Sequence, residues 1–178
     1  LATIAQGQDI TERKKAEEAL RKSEQTYRTL VETAQEGIGI TDFNENVVFA
    51  NQAFADMLGY KNEELLGINL SQISDKEVFA SFREETQKRQ RGEPSQYEAK
   101  LFTKTGESKY FSISASPISD DQGTIMGTMG LFTDITQRKR MENAIITKER
   151  IARERARLLT DLRSLDQTDQ ILTRACET

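Results

Sequence analysis

Two polar triplets are the residues of this chain best placed to act. Asp134-Ile135-Thr136 stands where the apolar run Gly130-Leu-Phe-Thr133 gives way to a charged stretch with helical spacing. The short side chains of Asp and Thr can accept hydrogen bonds from the free N–H groups that open a helix. Asp9-Ile10-Thr11 repeats the pattern one domain-length upstream, followed like its copy by Arg, Lys, Glu and Ala. A strand-to-helix exit used twice points to a repeated module whose output leaves through a helix. The chemistry of such a junction is mechanical: a cap contributing about 1 kcal/mol that fixes where one element ends and the next begins.

Covalent and metal chemistry are poorly supplied. The 178 residues include no His, which removes the commonest general base and transition-metal ligand. A Ser–His–acid triad, a Cys/His zinc cluster and a haem held by His are all out of reach. Cys176 is the one cysteine, so no internal disulfide forms, and a reducing compartment fits. No acids are paired in an apolar setting. The expectation is therefore no catalytic residue and no metal site. Arg138, Lys139, Arg140, Lys148, Arg150, Arg153, Arg155, Arg157 and Arg163 form a basic run that could face nucleic acid. Glu142, Glu149, Glu154 and Asp161 interrupt it and no aromatic residues interleave for stacking, so it reads as a solvated coiled-coil face. The net charge of −4 gives no overall bias toward a polyanion. No run of about eighteen apolar residues could span a membrane, and these residues show no signal-peptide pattern. The expected location is the cytoplasm, without nucleic-acid or membrane contact.

The elements that must position these residues follow from period and punctuation. Residues 9–34 read as one helix with a heptad seam at Ala16, Leu20, Ser23, Tyr27, Leu30 and Ala34. Ile38 and Ile40 alternate with Gly39 and Thr41 as a strand, and Val47 to Ala50 is its hairpin partner across the turn residues Asp42 to Asn46. Asn51 caps a short helix carrying Phe54, Met57 and Leu58, and a one-turn helix ends at Gly67. A longer helix from about Asp75 to Arg91 presents Val78, Phe79 and Phe82. Three strands close the core. Tyr97, Ala99, Leu101 and Thr103 share a face of the first, and Phe111, Ile113 and Ala115 a face of the second, opposite Ser112, Ser114 and Ser116. Ile125, Gly127, Met129 and Leu131 make the third. Five antiparallel strands with helices gathered in one insertion describe an α+β domain with a small space between sheet and helices. Beyond Thr136 the heptad returns at Met141, Ala144, Lys148, Ile151, Arg155, Leu158, Leu162 and Leu165, and Gln167-Thr168-Asp169 reads as a break.

Set out this way, residues 30–136 resemble a PAS domain with its C-terminal motif. The matching pieces are Glu36-Gly-Ile-Gly-Ile-Thr-Asp42, Asn51-Gln-Ala-Phe54, Leu58-Gly-Tyr-Lys-Asn-Glu-Glu-Leu-Leu-Gly67, Lys104-Thr-Gly106, Pro117-Ile-Ser-Asp120 and Gly130-Leu-Phe-Thr-Asp-Ile-Thr136. Each is weak alone; in order and at family spacing they are specific. Residues 1–11 resemble the tail of a preceding PAS domain, 12–29 a signalling helix, 137–166 a C-terminal coiled-coil helix, and 167–178 the start of a following domain similar to GAF. The chain opens on Leu within a repeat and is expected to be an excised fragment.

The resemblance implies a PAS fold: a five-stranded antiparallel sheet, short helices on one face, and flanking coiled-coil signalling helices. It implies a sensory module that reads a small ligand, a cofactor or a neighbouring domain and relays it to an output domain. A sensor histidine kinase is the expected parent, the fragment itself being no enzyme. A ligand-free dimerisation and spacer module, or the sensor of a diguanylate cyclase or phosphodiesterase, are the alternatives. Pocket candidates are Phe54, Met57, Phe79, Tyr97, Phe111 and Ile113, with Ile40, Leu65, Phe82 and Leu131 beside them; Asp134, Ile135 and Thr136 would carry the relay. Cys-linked flavin is argued against because no cysteine lies within the core, and no Trp is present to stack on a non-covalent flavin. Either no cofactor or a small organic ligand remains. Expected partners are a second copy, through the flanking helices, and the adjacent PAS, GAF and output domains.

Overall fold

Alternating stretches form strands and 3.6-period stretches form helices, in the order the sequence predicts. The computed structural model describes the backbone of residues 2–176 and the side chains of residues 12–159. It divides into two compact units, residues 1–135 and 136–178. The first carries α1 (Ala2–Thr33), β1 (Gly37–Thr41), β2 (Val47–Ala50), α2 (Gln52–Leu58), α3 (Asn62–Leu65), a 3-10 turn (Leu70–Gln72), α4 (Lys76–Arg89), β3 (Ser95–Phe102), β4 (Ser108–Ser119) and β5 (Ile125–Asp134). The second is one helix, α5 (Thr136–Cys176).

The five strands form one antiparallel sheet in the order β2-β1-β5-β4-β3. Last in sequence, β5 lies at its centre, between β1 and β4. Helix α2 packs on β1 and α4 on β3, so the core lies between one face of the sheet and these helices. Asn51, fully buried, fastens this corner. Its Oδ1 accepts from Phe54 N–H at 3.0 Å as the N-cap of α2 and from Ile38 N–H at 2.8 Å, while its Nδ2 donates to Val31 and Glu36 carbonyls at 3.0 Å each. One side chain thereby ties together α1, β1 and α2 with its hydrogen-bonding capacity used.

The faces of β1 and β5 are the reverse of the expectation. Ile38, Ile40, Met129 and Leu131 do not face the helices. Gly37, Gly39 and Thr41 of β1, and Thr128, Gly130 and Phe132 of β5, are the buried positions. Across the outer face Ile38 opposes Leu131 and Ile40 opposes Met129. The reason is steric. A Cβ on Gly37 would stand 3.0 Å from the Phe54 ring, and one on Gly130 would stand 2.8 Å from that of Phe132. Glycines on the inner face make room for two stacked rings that fill more space than the isoleucines would.

The three hairpins share one plan. In each, the first residue donates its N–H to the carbonyl four residues on and accepts from the N–H three residues on: Asp42 with Asn46 and Glu45, Thr103 with Glu107 and Gly106, Asp120 with Thr124 and Gly123. This is a type I turn followed by a left-handed residue.

Two further expectations are corrected. Helix α1 starts at Ala2, so Asp9-Ile10-Thr11 lies inside a helix, not at a strand exit. A strand needs a neighbour for its backbone groups, whereas a helix satisfies them alone. Helix α5 runs without interruption through Gln167-Thr168-Asp169, because no Gly or Pro stands between Thr136 and Cys176 to stop it. The large apolar heptad residues among those described (Leu20, Tyr27 and Leu30 in α1, Met141, Ile151 and Leu158 in α5) are exposed in the single chain, whereas Ala34, the last position of the first seam, falls just past the end of α1 and is half-buried. The side chains of Leu162, Leu165 and Cys176 lie outside the described residues, as does the backbone of Glu177 and Thr178.

Candidate functional site

Between the inner face of the sheet and the end of α4 lies a cavity of about 20 Å³. Its walls combine an apolar end with a polar one. Phe54, Val47, Leu70, Ile113 and Phe132 make the first; Thr41, Glu45, Arg89, Tyr97 and Thr128 make the second. The rings of Phe54 and Phe132 stack with centroids 4.1 Å apart, and Phe111 meets Phe132 edge-on at 6.3 Å.

Arg89 arrives on the stripe of α4 that begins with Val78 and Phe82 and continues through Thr86. Its side chain is 2% exposed. Nε donates to Thr128 Oγ1 at 3.0 Å, Nη1 to Ser95 Oγ at 3.0 Å and Nη2 to Thr86 Oγ1 at 2.6 Å. Glu45 enters from the β1–β2 turn and is 1% exposed. The Thr86 hydroxyl, which accepts from Arg89, donates its own hydrogen to the Glu45 carboxylate. Guanidinium and carboxylate are thus joined through one hydroxyl. Burial pushes the Glu45 carboxyl above the ordinary glutamate range, against the pull of the Thr86 hydrogen bond and the positive charges of Arg89 and Arg83. Burial also raises the Tyr97 phenol, opposed by the charge and hydrogen bond of Arg89. Among the described residues, Glu45 Oε1 is the one buried side-chain oxygen or nitrogen without a hydrogen-bond partner.

Of the residues singled out from sequence, Phe54, Tyr97 and Ile113 line the cavity. Met57 and Phe79 do not; both are half-buried against the hydrophobic core. Phe111 is wholly buried and serves packing, as do Leu65 and Phe82, while Ile40 and Leu131 lie on the opposite face of the sheet. The cavity sits toward the β1–β2 turn and the C-terminal end of α4, away from those side chains. Sequence reasoning missed Glu45, Arg89, Thr86, Thr128 and Phe132. The signal for Arg89 was present: it prolongs the apolar stripe of α4 as 78, 82, 86 and 89. That for Glu45 was a glutamate where this hairpin type takes glycine.

At the far end of β5, Asp134 closes the strand with its carboxylate 3.4 Å from Lys109 Nζ, and the Ile135 N–H donates to the Tyr110 carbonyl at 2.8 Å. Thr136 is the first residue of α5. Among the described residues no cluster of His, Cys, Asp and Glu could hold a metal ion, and no helix is long and apolar enough to cross a membrane.

Comparisons with known proteins bear on this arrangement. A family model described as "PAS domain" matches residues 35–137. The methanogenesis regulatory histidine kinase FilI of Methanothrix harundinacea is 29% identical over 132 residues, 74% of this chain and 15% of that protein. Sporulation kinase C of Bacillus subtilis is 26% identical over 157 residues, 84% of this chain and 37% of that one. The chain therefore spans well under half the length of these curated relatives. Among solved structures, the PAS domain of an HTR-like protein from Haloarcula marismortui superposes with a TM-score of 0.61 at 18% identity, covering 68% of this chain and 99% of that one. At that identity the likeness concerns the fold.

Proposed function

This chain belongs to the PAS domain family, and from that membership we propose that it is the sensory module of a larger histidine kinase, reading a small guest in its core and relaying occupancy through α5. One observation carries the reading. Strand β5 supplies Thr128, Gly130 and Phe132 to the cavity wall and, a single residue after its end, continues covalently into α5. A change in how β5 sits against the cavity is therefore applied directly at the root of the output helix. The histidine kinases among its relatives support the kind of output. The exposed apolar seams of α1 and α5 support a homodimer paired through those helices on the cytoplasmic side. Neighbouring PAS, GAF and kinase domains would be joined through the same helices.

The size of the cavity favours a small guest over haem or flavin, and it keeps a second reading in view: a spacer that transmits movement without any ligand. The two differ in a deletion. In the intact parent protein, removal of residues 38–133 with the heptad phase of α1 and α5 preserved abolishes regulation of autophosphorylation if the core senses. Regulation that survives the deletion reduces the module to a spacer.

A further inference from the structure

The three hairpins of the sheet share one hydrogen-bonding plan, and two of them place glycine in the left-handed position: Gly106 at φ 83° and Gly123 at φ 80°. Glycine suits that position because it has no Cβ. The third uses Glu45, at φ 66°. Its side chain turns inward to the cavity, where Oε1 meets no donor. The chain thus accepts two costs at one residue, a left-handed backbone and a buried carboxylate oxygen left unsatisfied. Neither improves the turn or the core.

We propose that Glu45 Oε1 is the recognition atom of a binding site for a small uncharged molecule carrying a hydroxyl or N–H donor on an apolar body. The proposal rests on the sensory reading above and names the chemistry of its guest. Donor character follows from the valences. Arg89 Nε, Nη1 and Nη2 each donate to a hydroxyl, and the Thr86 hydroxyl both accepts from Arg89 and donates to Glu45. Among the described residues the one buried side-chain atom left without a partner is the acceptor Oε1, so the guest donates to it. Neutrality follows from charge: the Glu45 carboxylate and the Arg89 guanidinium already balance, and a cationic guest would leave net charge in a buried site. An anionic guest would set acceptor against acceptor. Size follows from volume. About 20 Å³ exceeds what one water needs, roughly 10–15 Å³, and suits a guest of no more than about two non-hydrogen atoms. The apolar body lies against Val47, Phe54, Ile113 and Phe132.

The test is a titration of the 178-residue chain followed by proton–nitrogen NMR. The probes are methanol (a neutral donor), acetonitrile (a neutral acceptor), methylammonium (a cation) and formate (an anion). Methanol is expected to give saturable shifts at the amides of Thr41, Thr128 and Gly130, with a dissociation constant at least tenfold lower than those of the other three. In Glu45→Gln the Thr86 hydroxyl continues to donate to the amide oxygen, and an NH2 donor takes the place of Oε1. The preference for methanol over acetonitrile should then fall at least tenfold, a loss of selectivity that a purely structural glutamate would not produce. A second variant, Ala115→Val, fills the cavity from β4 without touching Glu45 and should abolish the methanol response. The proposal is overturned if no probe gives saturable shifts, if another probe equals or exceeds methanol, if Glu45→Gln keeps the wild-type preference, or if Ala115→Val still responds. Failure here leaves the relay reading standing, since that is read from kinase output in the parent protein. Loss of the relay would likewise leave the binding result intact.

Discussion

The two ends of the interior between sheet and helices are built on opposite terms. At one, Phe54 and Phe132 fill the space left by three inner-face glycines and stack, and Phe111 meets Phe132 edge-on. At the other, Glu45, Thr86, Arg89 and Thr128 exchange hydrogen bonds around a cavity and leave one carboxylate oxygen unmet. Burying aromatic surface stabilises a fold directly, each ring removing a large apolar area from water. A buried charge pair gains little over an apolar core of the same shape, because desolvation offsets the attraction. The contrast teaches where stability and specificity reside. The aromatic end holds the domain together, and the polar end, retained at a cost, is the place to look for recognition.

Phe54→Ala should break the aromatic end most severely, removing both the stack on Phe132 and the ring that the glycines accommodate. The expected loss is roughly 3–5 kcal/mol, measured by chemical denaturation of this chain. Loss below about 1 kcal/mol would mean that the rings are not the main support. Arg89→Met tests the polar end. It leaves Glu45 buried without its nearest cation and three hydroxyls without their donor, for an expected cost of about 3 kcal/mol. An unchanged denaturation midpoint would show that the polar end contributes nothing and that the contrast is one of appearance.

Glu45→Gln sharpens the comparison through pH. The folded carboxyl titrates above its ordinary value of 4.5, so folding favours its protonated form. Its contribution is complete below that ordinary value and is lost as pH rises through the raised one. Asp42, Glu64, Asp75 and Glu85 are shifted the other way, so the whole protein's pH profile mixes both signs. The difference between wild type and variant isolates Glu45: wild type should lose stability relative to Glu45→Gln across that window. A difference independent of pH would place the carboxyl in a water-like setting. The smallest effect belongs to Asp134→Ala. Its pair with Lys109 is partly solvated at both ends, with side-chain exposures of 29% and 26%, and pairs of this kind contribute about 0–1 kcal/mol. The core should stay folded by circular dichroism while regulation in the parent protein is uncoupled; intact regulation would leave Asp134 a structural residue alone.

Much of this was legible in the chain. Asn51 announced its helix as a short polar cap and accepts the backbone N–H expected of it; Asp75, read only as the start of its helix, caps it in the same way. The turn residues Asp42 to Asn46 placed the first hairpin. Alternation in β3 and β4 named the correct buried faces, with Ala99, Leu101, Phe111, Ile113 and Ala115 inward. Beta-strand alternation failed at β1 and β5 for an identifiable reason. It assumes that the larger apolar residue of each pair faces the core, and there the core face was reserved for rings arriving from elsewhere.

The order and type of the elements, the first hairpin, the five antiparallel strands and the lack of any histidine chemistry could all be read along the chain. These depend on period, capping and composition, which act over a few residues at a time. Which face of β1 and β5 is buried, and that a glutamate from the β1–β2 turn meets an arginine from the end of α4 through a threonine hydroxyl, emerged with the packing. Those outcomes depend on packing between segments far apart in the chain. Whether a side chain is core, surface or site is a property of its neighbours, and for Glu45 the neighbours are Thr86, Arg89 and a cavity of about 20 Å³.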